Sequence, residues 1–144
     1  MRNDLTRFAE AHGRDYPTAL AEIRRGRKES HWMWYIFPQL QGLGRSSYAA
    51  HYGIRDLEEA RAFLEDEYLG ANLKEISAAL LQLDCDDARS VMGSPDDLKL
   101  WSSMTLFALA DPKEPVFTRV LEKFFRGEMD EKTLRMLGGG NERP

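Results

Sequence analysis

Pro95-Asp96-Asp97-Leu98-Lys99-Leu100-Trp101-Ser102-Ser103-Met104-Thr105-Leu106-Phe107-Ala108-Leu109-Ala110 reads as a helix with almost no face for water. At about 100° per residue, Leu98, Leu100, Trp101, Met104, Thr105, Leu106, Phe107 and Leu109 cover most of its circumference. A helix apolar nearly all round belongs in the interior. Ser94 is placed to cap it, Pro95 to open it, and Asp96 and Asp97 to meet the positive end of its dipole; Asp111-Pro112 ends it. Asp96, Lys99 and Ser103 stand on one side, with Ser102 beside them. A lysine there either reaches water along its stem and pairs with Asp96, or meets a partner in a cavity.

Outward from this helix the pattern stays helical. Asp4 is placed to cap a first helix carrying Leu5, Phe8 and Ala9; Gly13 is expected to stop it and Pro17 to open a second, with Leu20 and Ile23 inside. Ser46 or Ser47 opens a short helix to Tyr52. Asp56 with Glu59 forms a capping-box-like start for the stripe Leu57, Ala60, Phe63 and Leu64. Leu69-Gly70 is expected to interrupt the chain before Leu73, Ile76, Leu80 and Leu83. Asp86-Asp87 starts a short turn of helix that ends at Gly93. Val116, Val120, Leu121, Phe124 and Phe125 mark a helix running to Gly127, and Asp130 caps the last. β-branched clusters are scarce. The expected fold is all-α: one compact domain over 1–137, about eight to nine helices, several short, around a central buried helix near residues 95–110, with 138–144 a mobile tail.

A chain of 144 residues with 42% hydrophobic and 31% charged residues has the size and composition of one globular domain. The net charge of −4 is uneven: residues 1–55 hold nine Lys/Arg against five Asp/Glu, and 56–144 hold eleven against nineteen. The basic third suits an anionic ligand. Cys85 is the single cysteine, so no internal disulfide forms, and its flanking Asp84 and Asp86 disfavour a thiolate. Met1–Glu10 is charged rather than signal-like, and no apolar run is long enough to span a membrane. A cytoplasmic location is expected.

The second unusual stretch is His31-Trp32-Met33-Trp34-Tyr35-Ile36-Phe37-Pro38-Gln39-Leu40-Gln41-Gly42-Leu43-Gly44. It has neither helical nor strand periodicity, and Pro38, Gly42 and Gly44 punctuate it, so a short element entering a loop is expected. Rings this dense are either core or the lining of a ligand site. The preceding Arg24-Arg25-Gly26-Arg27-Lys28 could touch phosphates, but it also suits a solvated helix end, and the acidic total disfavours nucleic acid. His12, His31 and His51 lack metal-ligand spacing, Asp84, Asp86 and Asp87 lack that of a calcium loop, and no glycine-rich phosphate loop is present. No metal and no cofactor is expected. Gly42-Leu43-Gly44-Arg45-Ser46 could offer N–H groups to an anion where it enters a helix.

The run Lys28-Glu29-Ser30-His31-Trp32-Met33-Trp34-Tyr35-Ile36-Phe37-Pro38-Gln39-Leu40, with Gly42-Leu43-Gly44, closely resembles the signature of the bacterial and fungal family called domain of unknown function 1810. Gly93-Ser94-Pro95-Asp96-Asp97-Leu98-Lys99-Leu100 and Ser102-Ser103-Met104-Thr105-Leu106-Phe107 also fit, and the resemblance runs from Leu5 to Leu137. It implies a single all-α domain and brings no established activity. A calpastatin label carried by some members belongs to a disordered inhibitor and does not suit a packed chain. A more distant similarity is to small α-helical N-glycosidases acting on ADP-ribose-like and riboflavin-precursor compounds, an analogy of fold. The family usually has Gln where His12 stands and Arg where Asn72 stands.

Three functions follow. In the first, a pocket binds or hydrolyses a nucleotide-like or phosphorylated N-glycoside: Trp32 and Trp34 stack on it, Lys99 and Arg45 hold its anionic group, His31, Gln39 and Ser103 line and orient, and Asp96 or Asp97 polarises water. In the second, the same groove is a non-catalytic module for a ligand or a protein partner. In the third, the aromatic run is a core hub, with His31 and Gln39 capping chain ends.

Overall fold

The computed structural model describes residues 4–138. Among these residues nine helices follow one another: α1 (Thr6–Arg24), α2 (Met33–Ile36), α3 (Ser47–Tyr52), α4 (Leu57–Glu65), α5 (Glu67–Leu81), α6 (Ala88–Met92), α7 (Asp96–Ala110), α8 (Pro115–Phe125) and α9 (Glu131–Gly138). No sheet forms among them; an isolated bridge between Leu40 and Ile54 is the nearest approach to one. The fold is all-α, as the periodicity predicts. Gly138 closes α9, and the rest of the expected tail lies outside the described residues.

The central helix is α7. Leu100, Ser103, Met104, Thr105, Leu106 and Phe107 are fully buried, and α4, α6, α8 and α9 pack around them. A chain of rings crosses the core from α1 through α4 and α7 to α8. Phe8 meets Phe63 edge-on at 5.1 Å, Phe63 meets Phe107 at 5.4 Å, and Phe107 meets Phe117 at 5.9 Å. Tilted and edge-on contacts of this kind add to the burial of the rings themselves.

Three helix starts and stops differ from expectation. Gly13 and Pro17 do not divide α1, which is one helix of 19 residues. Pro17 lacks the N–H that would bond the Gly13 carbonyl four residues back, so the two breakers share one defect. Both are exposed, where water satisfies that carbonyl. The other face, with Phe8, Ala11, His12, Tyr16, Ala19 and Ile23, is buried, and its packing outweighs the defect. Between α4 and α5 the break falls at Asp66, whose carboxylate accepts from Tyr68 N and Leu69 N at 3.0 Å each, so Leu69-Gly70 is helical. Ser94 does not cap α7: Pro95 takes the cap position, with no side-chain hydrogen bond to the first turn.

The caps read at Ser46, Asp56, Asp87 and Asp130 are present. Ser46 Oγ accepts from Ala49 N, Asp56 Oδ1 from Glu59 N, Asp87 Oδ1 from Arg89 N, and Asp130 Oδ1 from Lys132 N. Glu59 reaches one residue beyond the cap, accepting from Arg55 N at 2.8 Å rather than from Asp56 N as a capping box requires. No helix among the described residues is long and apolar enough to cross a membrane.

Candidate functional site

The site is built from a loop that α1 organises. Glu22, 3% exposed, accepts hydrogen bonds from the backbone N–H groups of Glu29 and Ser30, the Ser30 hydroxyl and the Trp32 indole N–H, at 2.5 to 2.9 Å. Burial alone would raise its pKa; these donors to the charged form outweigh burial and bring it down to about 2. The Glu22 carboxylate thus folds residues 29–32 back over the end of α1 and seats Trp32 in the core.

Lys28 fastens the same loop to the central helix. Its N–H donates to Val91 O at 2.7 Å, and its ammonium, 6% exposed as a side chain, lies 2.8 Å from Asp96 Oδ2 and 4.9 Å from the Trp32 ring centre. Asp96 Oδ1 is 3.7 Å from Lys99 Nζ, which in turn lies 5.5 Å from the centre of the Trp34 ring. Trp34 leans on Tyr48, ring centres 4.9 Å apart. A buried cation therefore holds a carboxylate, and the carboxylate holds a second cation against an aromatic ring. Pairing of this kind is what permits a charge to lose water.

Lys99 stands at a cleft of about 880 Å³ between the open end of α7 and α9. Gln39, Leu43 and Gly44 form one edge; Leu98, Lys99 and Trp101 come from α7; Lys132, Leu134 and Arg135 come from α9. Leu98 and Leu134, 55% and 38% exposed, are two of the few large apolar side chains left in water. Apolar walls with a few convergent polar groups, at this volume, are the usual make-up of a small-molecule site. A narrow crevice lined by Trp34, Gln39 and Lys99 lies beside it.

Of the residues singled out in the sequence, Trp34, Gln39 and Lys99 come together here, with Asp96 holding Lys99. The others do not join them. Trp32 is 1% exposed, so its ring has no face for a ligand. Ser103 is fully buried with its Oγ unpartnered, and its neighbour Ser102 lines the cleft instead. Asp97 opens on a different depression, walled by Trp101, Phe124 and Phe125, with its Oδ1 shielded and unpartnered. Arg45 and His31 are exposed; Arg45 does not line the cleft, and the His31 carbonyl accepts from the Tyr35 hydroxyl at 3.2 Å. Among the described residues no three His, Cys, Asp or Glu side chains gather to hold a metal ion. Sequence reasoning missed Glu22, whose spacing from Ser30 and Trp32 carries no motif, and read Lys28 as a solvated helix end. It also passed over Lys132 and Arg135.

No curated protein matches the chain. A crystal structure of the conserved hypothetical protein Rv1873 from Mycobacterium tuberculosis is 44% identical, covers 94% of this chain and 97% of that one, and superposes with a TM-score of 0.92. Residues 2–137 match the model of the family described as protein of unknown function (DUF1810), and the chain belongs to that family.

Proposed function

We propose that the protein binds a small anionic, nucleotide-like ligand in the cleft between α7 and α9. The observation that carries this reading is the Lys99 ammonium. It is held by Asp96 and the Trp34 ring beside Gln39, at the mouth of an 880 Å³ cleft with apolar walls. Its position is fixed before any ligand arrives, which lowers the entropic cost of binding.

Hydrolysis of an N-glycoside is the second reading, suggested by a sequence resemblance that no comparison with known proteins reproduces. It needs a carboxylate free to polarise water beside the glycosidic carbon. Asp96 is engaged by two lysines, and Asp97 faces the other depression. Asp96 is therefore better suited to holding structure than to acting as a base, and Asp97 does not line this cleft, which favours binding over turnover.

The test is a thermal-shift series with AMP, ADP-ribose, riboflavin-pathway phosphates and inorganic phosphate, on the wild type and on Trp34→Ala and Lys99→Ala. A ligand present at about 100 times its dissociation constant adds about 2.7 kcal/mol, several degrees for a domain of this size. A shift lost in the folded variants supports the cleft; consumption of the ligand would move the reading to hydrolysis. No shift with any of these compounds removes it.

A further inference from the structure

The second wall of the cleft brings two cations that no motif marks. Lys132 and Arg135 are three residues apart on α9 and so share a face, and both line the cleft opposite Lys99. Both are exposed, and neither side chain has a hydrogen-bond or ion-pair partner among the described residues. Lys99, by contrast, is committed to Asp96.

Three acidic residues line the same cleft, and they are not equivalent. Asp130 is spent inside the protein: its Oδ2 accepts from the Ser102 and Thr133 hydroxyls at 2.7 Å each, and its Oδ1 from the Lys132 N–H at 3.3 Å. Glu128 and Glu131 are exposed carboxylates without partners among the described residues. Glu131 stands on α9 four residues before Arg135, so the cations that draw an anion have a carboxylate beside them on the same helix, and Glu128 precedes that helix. Hydroxyl groups on the same ligand find acceptors in the two glutamates.

Resting on the binding reading above, we infer that the ligand carries a phosphoryl group seated between Lys99 on α7 and the Lys132–Arg135 pair on α9. Its apolar part lies against Leu98 and Leu134. A phosphoryl group presents oxygens in several directions, so cations from two helices engage it together. A carboxylate has two coplanar oxygens, enough to bridge two cations as Asp96 bridges Lys28 and Lys99, and so offers fewer acceptors to three cations than a phosphoryl group does.

Calorimetric titration tests this with inorganic phosphate, pyrophosphate, ribose 5-phosphate, AMP and adenosine on the wild type, Lys99→Ala, Arg135→Ala and Arg135→Lys. Because Arg135 is exposed, its variants are expected to keep the wild-type melting curve, which is recorded alongside. The expected result is that a phosphorylated probe binds at least tenfold more tightly than adenosine. Arg135→Ala removes most of that advantage, and Arg135→Lys restores part of it. Binding lost in Lys99→Ala but unchanged in Arg135→Ala overturns the phosphoryl seat while leaving the cleft reading intact. Absence of binding by every probe overturns both.

Discussion

His12 on α1 and Asn72 on α5 are hydrogen-bonded to each other in the core, with Asn72 Nδ2 3.1 Å from His12 Nδ1. On its other side, His12 Nε2 lies 2.8 Å from the Tyr35 carbonyl, which can only accept, so Nε2 carries the proton and Nδ1 accepts from Asn72. These are the positions where the family resemblance leads one to expect Gln and Arg instead. They form one buried contact, and neither lines the cleft.

That pairing makes stability pH-dependent. Burial lowers the His12 pKa below its ordinary value of 6.5, only partly offset by the bond to Tyr35 and by Asp66. The unfolded chain then binds the proton more readily than the folded one, so this contribution is complete above pH 6.5 and is lost as the pH falls below it. Urea denaturation between pH 5 and 8 is expected to show the loss. His12→Gln is expected to abolish this component, because a glutamine amide can donate to Tyr35 and accept from Asn72 without titrating. An unchanged profile in His12→Gln assigns the dependence elsewhere.

Glu22 acts in a lower pH window. With its pKa brought down to about 2 from 4.5, its contribution is complete above pH 4.5 and is lost as the pH falls towards 2. The shift corresponds to about 3 kcal/mol. Glu22→Gln removes the charge that the three N–H donors to Oε1 assist and sets an N–H₂ against the Ser30 hydroxyl, so it is expected to lose stability at pH 7 and to flatten the acid limb. Near-ultraviolet circular dichroism of Glu22→Ala should report the release of Trp32, whose indole N–H then loses its acceptor.

The Lys28–Asp96 pair is mostly buried, and removing one partner strands the other. Lys28→Met and Asp96→Leu are each expected to cost about 2–3 kcal/mol. The double variant Lys28→Met/Asp96→Leu is expected to recover part of the loss, because the buried pair is removed as a unit and only the more exposed Lys99 is left without its partner. A double-mutant cycle in urea measures the coupling. Additive single effects would mean that the 2.8 Å contact contributes nothing of its own.

The fold was legible where one face decides the packing. The apolar circumference of Leu98 to Ala110 marked the central helix, and Asp56 with Glu59 marked a start that the hydrogen bonds reproduce. It was illegible where two local signals cancel, as with Gly13 and Pro17, whose separation of four residues merges their effects into one hydrated carbonyl. The site was half legible. Trp34 and Lys99 drew attention by type, but no spacing distinguishes buried Trp32 from Trp34, since that depends on which indole Glu22 reaches from α1. Lys132 and Arg135 look like ordinary surface charges until α9 is seen to face α7.

Two helical glycines should respond oppositely to a methyl group. At Gly13 an added Cβ meets nothing within 4 Å. The residue lies inside α1, where glycine is entropically unfavourable, so Gly13→Ala is expected to stabilise the protein by about 0.4–1 kcal/mol. At Gly70 the added Cβ would lie 2.1 Å from the Leu64 carbonyl oxygen and 2.9 Å from its carbon. Both are backbone atoms that cannot swing aside, because Leu64 is in the last turn of α4 and Gly70 in the first turns of α5. Gly70→Ala must therefore push the two helices apart at Asp66, at a cost of about 1–3 kcal/mol or more. Thermal melts of the two variants separate these outcomes. A neutral Gly70→Ala would show that the Asp66 junction opens freely, and that Gly70 is not what sets the angle between α4 and α5.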